Sequence, residues 1–187
     1  MKTAVSIEMV TIKHAEILEE LISDPAVAET TSNIPHPYPV GGAEQWITRS
    51  QHEREEGKSH CFSILAAGEF VGVISILNVA EGQGEIGYWI GRPYWGRGYA
   101  TAAGRQVIAF GFRDVGLSSF IGKCLARNTG SYRVLEKLGF QLSVFTEIVK
   151  PKWPTPERVA EFNLPWEEWT QQSCPARTGQ GPSAFSW

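Results

Sequence analysis

The chain has 187 residues, 42% of them hydrophobic, and a formal net charge of -3 at pH 7. That length suits one domain with a sizeable core, and the slightly acidic balance points away from nucleic acid and from anionic membrane surfaces. The longest uncharged apolar run, "FVGVISILNVA" at 70 to 80, is far short of the roughly 20 residues of a membrane-spanning helix.

The first residues, "MKTAVSIEMVTIKHAEI", have no continuous apolar core of signal-peptide type, so a soluble, cytoplasmic protein is expected. Cys61, Cys124 and Cys174 form no CxxC pair and are odd in number, which suits a reducing compartment without a disulfide framework. His14, His36, His52 and His60 show neither HxxxH nor HExxH spacing, so no metal site is expected.

In chain order, "SIEMVTI" (6 to 12) alternates as a first strand, and Ile17, Leu18, Leu21 and Ile22 then share one face of a helix. Pro35, Pro37 and Pro39 keep "NIPHPYPVGG" (33 to 42) irregular, because proline fixes φ and lacks a donor. A second helix is predicted from about Ala43 to Glu56, stopped by Gly57. The segment from His60 to Val79 reads as two strands turning at Ala67-Gly68. Another strand follows at 84 to 92. A helix is expected from about Gly98 to Val115, with Ala103, Val107 and Phe110 on one face and Gly116 as its stop.

"SSFIGKCLA" (118 to 126) is the next strand, and "NTGSYRVLEKLGF" is a capped helix ended by Gly139. "FQLSVFTEIV" and "RVAEFNLPW" are two more strands, joined by the proline-rich "KPKWPTPE". From about Gln172 the composition shifts to Ser, Gly, Pro and Gln, so 172 to 187 is expected to be a flexible tail behind a domain of residues 1 to 171. Hairpins around two strand-helix units give an α/β (α+β) fold, unlike the regular alternation of a doubly wound sheet.

Three phosphate-binding patterns can be weighed. No GxxxxGK[ST] string exists, which excludes a Walker A loop. "GQGEIG" (82 to 87) matches GxGxxG but leads into a strand, whereas a dinucleotide fingerprint follows a strand and opens a helix. "WGRGYAT" (95 to 101) has the right context, after a strand and at a helix start. The first N–H groups of a helix are unsatisfied and carry about half a positive charge, a natural seat for phosphate oxygens. Gly96 and Gly98 let the backbone approach an anion closely, Arg97 adds a cation, and the Thr101 hydroxyl is within range to assist. Its alternative is a glycine-rich turn that only makes the corner.

"EIGYWIGRPYWGRGYATAAGRQVIAFGF", followed by "ARNTGSYRVLEKLGF", resembles the GNAT N-acetyltransferases, and most closely the Rim-type ribosomal-protein N-terminal acetyltransferases. The resemblance covers roughly residues 5 to 170. It implies a mixed central sheet of about six or seven strands flanked by about four helices. It also implies acetyl-CoA as co-substrate, with the pyrophosphate held by Trp95, Gly96, Arg97, Gly98, Tyr99, Ala100 and Thr101. By the same resemblance Asn128 matches the position that bonds the pantetheine arm, and Ser131 the position near the thioester sulfur. On residue grounds alone, Asn128 and Ser131 are equally well explained as helix-capping groups.

The implied reaction is direct attack of a primary amine, on a protein N-terminus or a small molecule, through a tetrahedral intermediate. Ser131 is the expected acid, with Tyr132 in reserve because helix neighbours do not share a direction. Glu85, opening the strand that should line the cleft, is the expected base, since a desolvated carboxyl can be tuned upward. His60 is the second choice, and an exposed strand-end carboxylate is the plain alternative for Glu85. Cys61 and Cys124 are read as small buried hydrophobes. The amine is expected between "NIPHPYPVGG" and "KPKWPTPE", with His36, Tyr38 and Trp153 as possible lining. A non-catalytic acyl-CoA-binding module is the alternative from another class, and a homodimer through an exposed strand edge is possible.

Overall fold

A computed structural model describes residues 4–173. Seven strands form one sheet in the order β1-β2-β3-β4-β5-β7-β6: β1 Val5–Met9, β2 His60–Ala66, β3 Glu69–Ala80, β4 Gln83–Ile90, β5 Ser119–Leu125, β6 Gln141–Ile148 and β7 Glu157–Pro165. Every neighbouring pair is antiparallel except β4 and β5, which run parallel. A parallel pair needs a crossover, and the chain supplies it as α4, Tyr99–Phe110. The remaining helices are α1 Ala15–Ile22, α2 Pro25–Glu29, α3 Gly42–Glu55, α5 Thr129–Lys137 and α6 Trp166–Ser173.

Alternation along the strands sends side chains to two different cores. On one face Ile64, Ile74, Ile76, Ile86, Phe120, Ala160 and Phe162 pack under α4 and α5, with Ala103, Val107, Leu135 and Leu138 as the helical side. On the other face Cys61, Phe70 and Val73 pack under α1 and α3 through Leu18, Ile22, Ala43 and Ile47. Trp89 joins this second cluster while Tyr88 joins the first, so successive residues of β4 serve opposite faces.

The sevenfold sheet and the α/β class match the expectation from sequence; the details differ in four places. The first strand ends at Met9, and Ile12–His14 form a short 3-10 turn instead of its end. There His14 Nδ1 accepts from the Thr11 N–H (3.3 Å) and lies 3.0 Å from Ser63 Oγ, tying the turn to β2. The long helix is α as far as Phe110 and then widens into a π-helical turn, Gly111–Val115, before Gly116 at φ +80°. Six helices stand where about four were expected. α2 starts at an N-cap, with Asp24 Oδ1 accepting from Ala26 N–H at 2.9 Å and Pro25 in the first turn, a signal present in the sequence. α6 is held by aromatic contacts of Phe112 with Trp166 (5.4 Å) and Trp169 (5.2 Å). Of the expected tail, residues 172 and 173 close α6, and 174 to 187 lie outside the described residues. Among the described residues no helix is long and apolar enough to cross a membrane.

Candidate active site

The parallel pairing of β4 and β5 runs from Gln83↔Ser119 to Ile86↔Gly122 and then stops. Beyond it β4 continues as Gly87–Ile90, paired only with β3, and β5 continues as Lys123–Leu125, paired only with β7. The two strands therefore part, and beyond Ile86 this edge of β4 has no strand neighbour, which leaves a gap between β4 and β5. Unpaired strand groups inside a sheet need partners, and a chain-like ligand carrying amides is one that fits.

The mouth of the gap is the expected glycine loop. Gly91 leads into a short turn, Arg92–Tyr94, and the Trp95 indole N–H then donates to the Ile90 carbonyl at 2.6 Å, pinning the loop to the end of β4. Gly96 and Gly98 sit at φ +74° and +80°, and an added Cβ at either would meet nothing within 4 Å. Backbone conformation, not crowding, is what calls for glycine there. Gly98 is the N-cap of α4 without any side-chain cap. The first helical bond of this terminus runs from Ala102 N–H to Gly98 O at 3.0 Å, which leaves the preceding N–H groups as the orphans of the helix start. Arg97 is exposed, with its guanidinium 5.7 Å from the Tyr94 ring centroid. The side chains of Tyr99, Ala100 and Thr101 are buried below the loop, so these residues offer the mouth their backbone.

On the α5 side of the gap Asn128 caps the helix, its Oδ1 accepting from Ser131 N–H at 3.0 Å. Its Nδ2 donates to Thr30 O at 3.1 Å and so ties α5 to the end of α2. Ser131 stands in the first turn. Its Oγ is 2.8 Å from the Tyr88 hydroxyl, which also lies 3.2 Å from the Ser131 carbonyl. Cys124 is buried on β5; burial pushes its thiol up to about 11, and the nearby Ser131 hydroxyl opposes that shift. Burial also pushes the Tyr88 phenol far above the ordinary tyrosine value, against the bond to Ser131, so it stays protonated at any physiological pH. Tyr88 escaped the sequence reading. The available signal was its place in β4, two residues past the last β4–β5 pair, on the face shared with Ile86. Tyr132 packs edge-on against Phe162 at 4.9 Å, away from this cluster, as neighbours on a helix should.

Glu85 sits beside the last β4–β5 pair, on the sheet face opposite Tyr88 and Ser131. Its side chain is 27% exposed, 3.9 Å from Lys123 Nζ, and reached by Asn78 Nδ2 at 3.5 Å. Lys123 also stands 3.8 Å from Glu161, giving a row of alternating charge along β4, β5 and β7. His60 is not brought to the gap, because β3 separates its strand from β4. Its ring packs edge-on against Phe110, 5.3 Å away, with Nδ1 buried and unpartnered, and burial holds it below the usual histidine range.

The two loops expected to hold the amine do meet. Lys152, between β6 and β7, donates from Nζ to the carbonyls of Ala28 (2.8 Å), Thr31 (2.5 Å) and Ile34 (2.9 Å). Lys150 Nζ donates to Asn33 Oδ1 at 3.2 Å, and Arg127 donates to the Glu29 carbonyl at 3.0 Å. Trp153 lies under Lys152, with Nζ 4.9 Å from its ring centroid. Tyr38 packs on the α1–α3 core, while His36 is exposed.

Residues 5–141 match the family described as "Acetyltransferase (GNAT) domain". An uncharacterized N-acetyltransferase of Bacillus licheniformis is 31% identical over 134 residues, 70% of this chain and 75% of that protein. Among solved structures, RimL, a ribosomal-protein α-N-acetyltransferase in complex with coenzyme A, superposes with a TM-score of 0.80 at 15% identity, over 88% of this chain and 95% of that one. Mycobacterium smegmatis RimJ, in complex with a CoA disulfide, gives 0.79 at 23% identity, over 89% and 84%. Both share the fold.

Proposed function

The chain belongs to the GNAT acetyltransferase family, and from that premise we propose that it moves the acetyl group of acetyl-CoA to a primary amine, either a protein N-terminal α-amine or a small-molecule amine. One observation carries the reading: the parting of β4 and β5 opens beside the uncapped start of α4, so a groove for an amide-bearing arm leads straight to an anion seat. The backbone N–H groups of Arg97, Gly98, Tyr99 and Ala100 take the pyrophosphate, with that of Thr101 behind them, Arg97 adding charge and Trp95 fixing the loop. Gly87–Ile90 offer their free edge to the pantetheine amides. Asn128 shapes the far wall, its Oδ1 keeping one lone pair beyond the cap.

In the transfer the amine nitrogen forms a bond to the thioester carbonyl carbon, the C–S bond breaks, and CoA leaves with the electron pair. The amine proton passes to Glu85 directly or through water, from the sheet face opposite Ser131. A CoA thiol ionises near the ordinary value of about 8.5, and an alcohol is a far weaker acid than a thiol. Ser131 therefore serves the departing sulfur as a hydrogen-bond donor, and the thiolate takes its proton from solvent afterwards. An α-amine, with a pKa near 8, is partly neutral at pH 7.5, whereas a lysine amine near 10.4 is neutral only about one part in a thousand. The acceptor that asks least of any base is an α-amine or another weakly basic amine, which this reading favours.

The test is thermal unfolding of the chain alone and with acetyl-CoA, NAD or ATP, followed by thiol release from acetyl-CoA with short free-N-terminus peptides and with polyamines. Ligand at about 100 times its dissociation constant adds roughly 2.7 kcal/mol. Stabilisation by acetyl-CoA alone, with thiol release that depends on amine, is the expected result. Stabilisation without any release would favour a non-catalytic acyl-CoA-binding module, and no stabilisation would remove the donor site.

A further inference from the structure

Tyr88 is the one β4 side chain bonded across to α5, and both of its partners belong to Ser131. Its hydroxyl has a single proton to give. At 3.2 Å the Ser131 carbonyl lies beyond the usual O–H···O range, whereas 2.8 Å to Oγ is ordinary for that bond. A phenol is also a better donor than an aliphatic alcohol. The Tyr88 proton is thus spent on Ser131 Oγ, and the serine's own proton is left to point elsewhere. The cluster therefore holds a serine O–H backed by a phenol in the first turn of α5.

Resting on the acetyl-CoA reading above, we propose that Tyr88 is a positioning residue for CoA thiolate: by donating to Ser131 Oγ it turns the serine O–H toward the sulfur and strengthens it as a donor. The Tyr88 side chain stays neutral throughout and need not touch the substrate. The group sees the difference between a thioester, which needs no donor at sulfur, and a thiolate, which does.

Calorimetric titration of CoA and of acetyl-CoA, each at pH 6.5 and pH 9, tests this without knowing the amine. In the wild type, CoA should gain about ten-fold over acetyl-CoA across that interval, the equivalent of one unit in thiol ionisation. Tyr88→Phe should lose most of that gain while acetyl-CoA affinity stays within two-fold. Ser131→Ala should lose it equally, and the double variant should lose no more than either single. A merely structural tyrosine would weaken both ligands together at both pH values. A gain retained in Tyr88→Phe, or losses that add in the double variant, would overturn the proposal. Failure of the wild type to bind either ligand would instead overturn the acetyl-CoA reading on which it stands.

Discussion

Lys152 Nζ lies 2.9 Å from the carbonyl of Ile34, across 118 residues of chain, and the same ammonium also holds the carbonyls of Ala28 and Thr31. Three carbonyls converging on one lysine fix the α2–α3 connection against the β6–β7 loop. Desolvation pushes this lysine down, with Lys150 and Arg127 nearby adding to the shift. Lys152→Met keeps the aliphatic stem over Trp153 but frees all three acceptors, at a cost of about 1–3 kcal/mol. The expected outcome is faster hydrogen exchange in residues 28 to 34 and a KM for the amine raised several-fold. Acetyl-CoA affinity should hold, because no part of the loop at the mouth touches Lys152. A rise in both constants would show that the clamp serves the whole domain and not the acceptor side.

Arg97 separates charge from conformation at the mouth. Substituting Gly98 puts a Cβ on a residue at φ +80°, which costs roughly 1–2 kcal/mol in backbone strain and confuses folding with binding. Arg97 is exposed and, among the described residues, its side chain contacts the Tyr94 ring. Arg97→Glu should leave Tm within about a degree while weakening acetyl-CoA about ten-fold or more at low salt. The deficit should shrink as salt rises, since exposed charges are screened beyond roughly 10 Å at 0.1 M. Equal affinity in the two proteins would place the pyrophosphate elsewhere.

The glycine loop was legible because its requirement is local: two positive-φ residues between a strand and a helix have few other uses. The strand order was less so. β7 inserts between β5 and β6, and no local pattern announces which strand a hairpin presents to the existing sheet. α2 carried an Asp-Pro start but is only five residues long, too short for periodicity to register. α6 was hidden because Trp166 and Trp169 fit equally the end of a strand or a helix packed on Phe112. In the candidate site, Ser131 and Glu85 were singled out by position, but their surroundings depend on partners far along the chain. Lys123 faces Glu85 through the parallel pair, and Tyr88 reaches Ser131 across 43 residues. Neither contact leaves a trace in sequence spacing.

Glu85→Gln tests the base. General-base assistance contributes typically 10²–10⁴-fold, but an amine that is already partly neutral asks for less. With an α-amine acceptor the variant should lose about ten-fold in kcat/KM near pH 6.5, where the amine is mostly protonated, and little near pH 9. Acetyl-CoA affinity should not change. A pH-rate profile parallel to the wild type at every pH would assign proton removal to water alone.

Stability should fall on acidification through two histidines that sit outside the reaction. His14 is buried, stacked on Phe70 at 5.5 Å; its Nδ1 accepts from Thr11 N–H and faces Ser63 Oγ, while Nε2 faces Glu8 at 3.1 Å. Protonation would place a proton on Nδ1 against the Thr11 N–H. Desolvation holds His14 below its usual value, with Lys13 adding to the shift and Glu8 opposing it; desolvation, with Arg54, does the same to His60. A histidine with a depressed folded pKa binds fewer protons folded than unfolded, so stability rises with pH in the window below about 6.5 and is flat above it. The urea midpoint should therefore hold from pH 8 to 7 and drop from about 6.5 toward 5. His60→Phe removes an unpartnered buried nitrogen against Phe110 and should stabilise the domain by about 1 kcal/mol at pH 7, with a shallower acid slope. An unchanged slope would mean that His60 takes up its proton as readily folded as unfolded, and would leave the whole acid loss to His14.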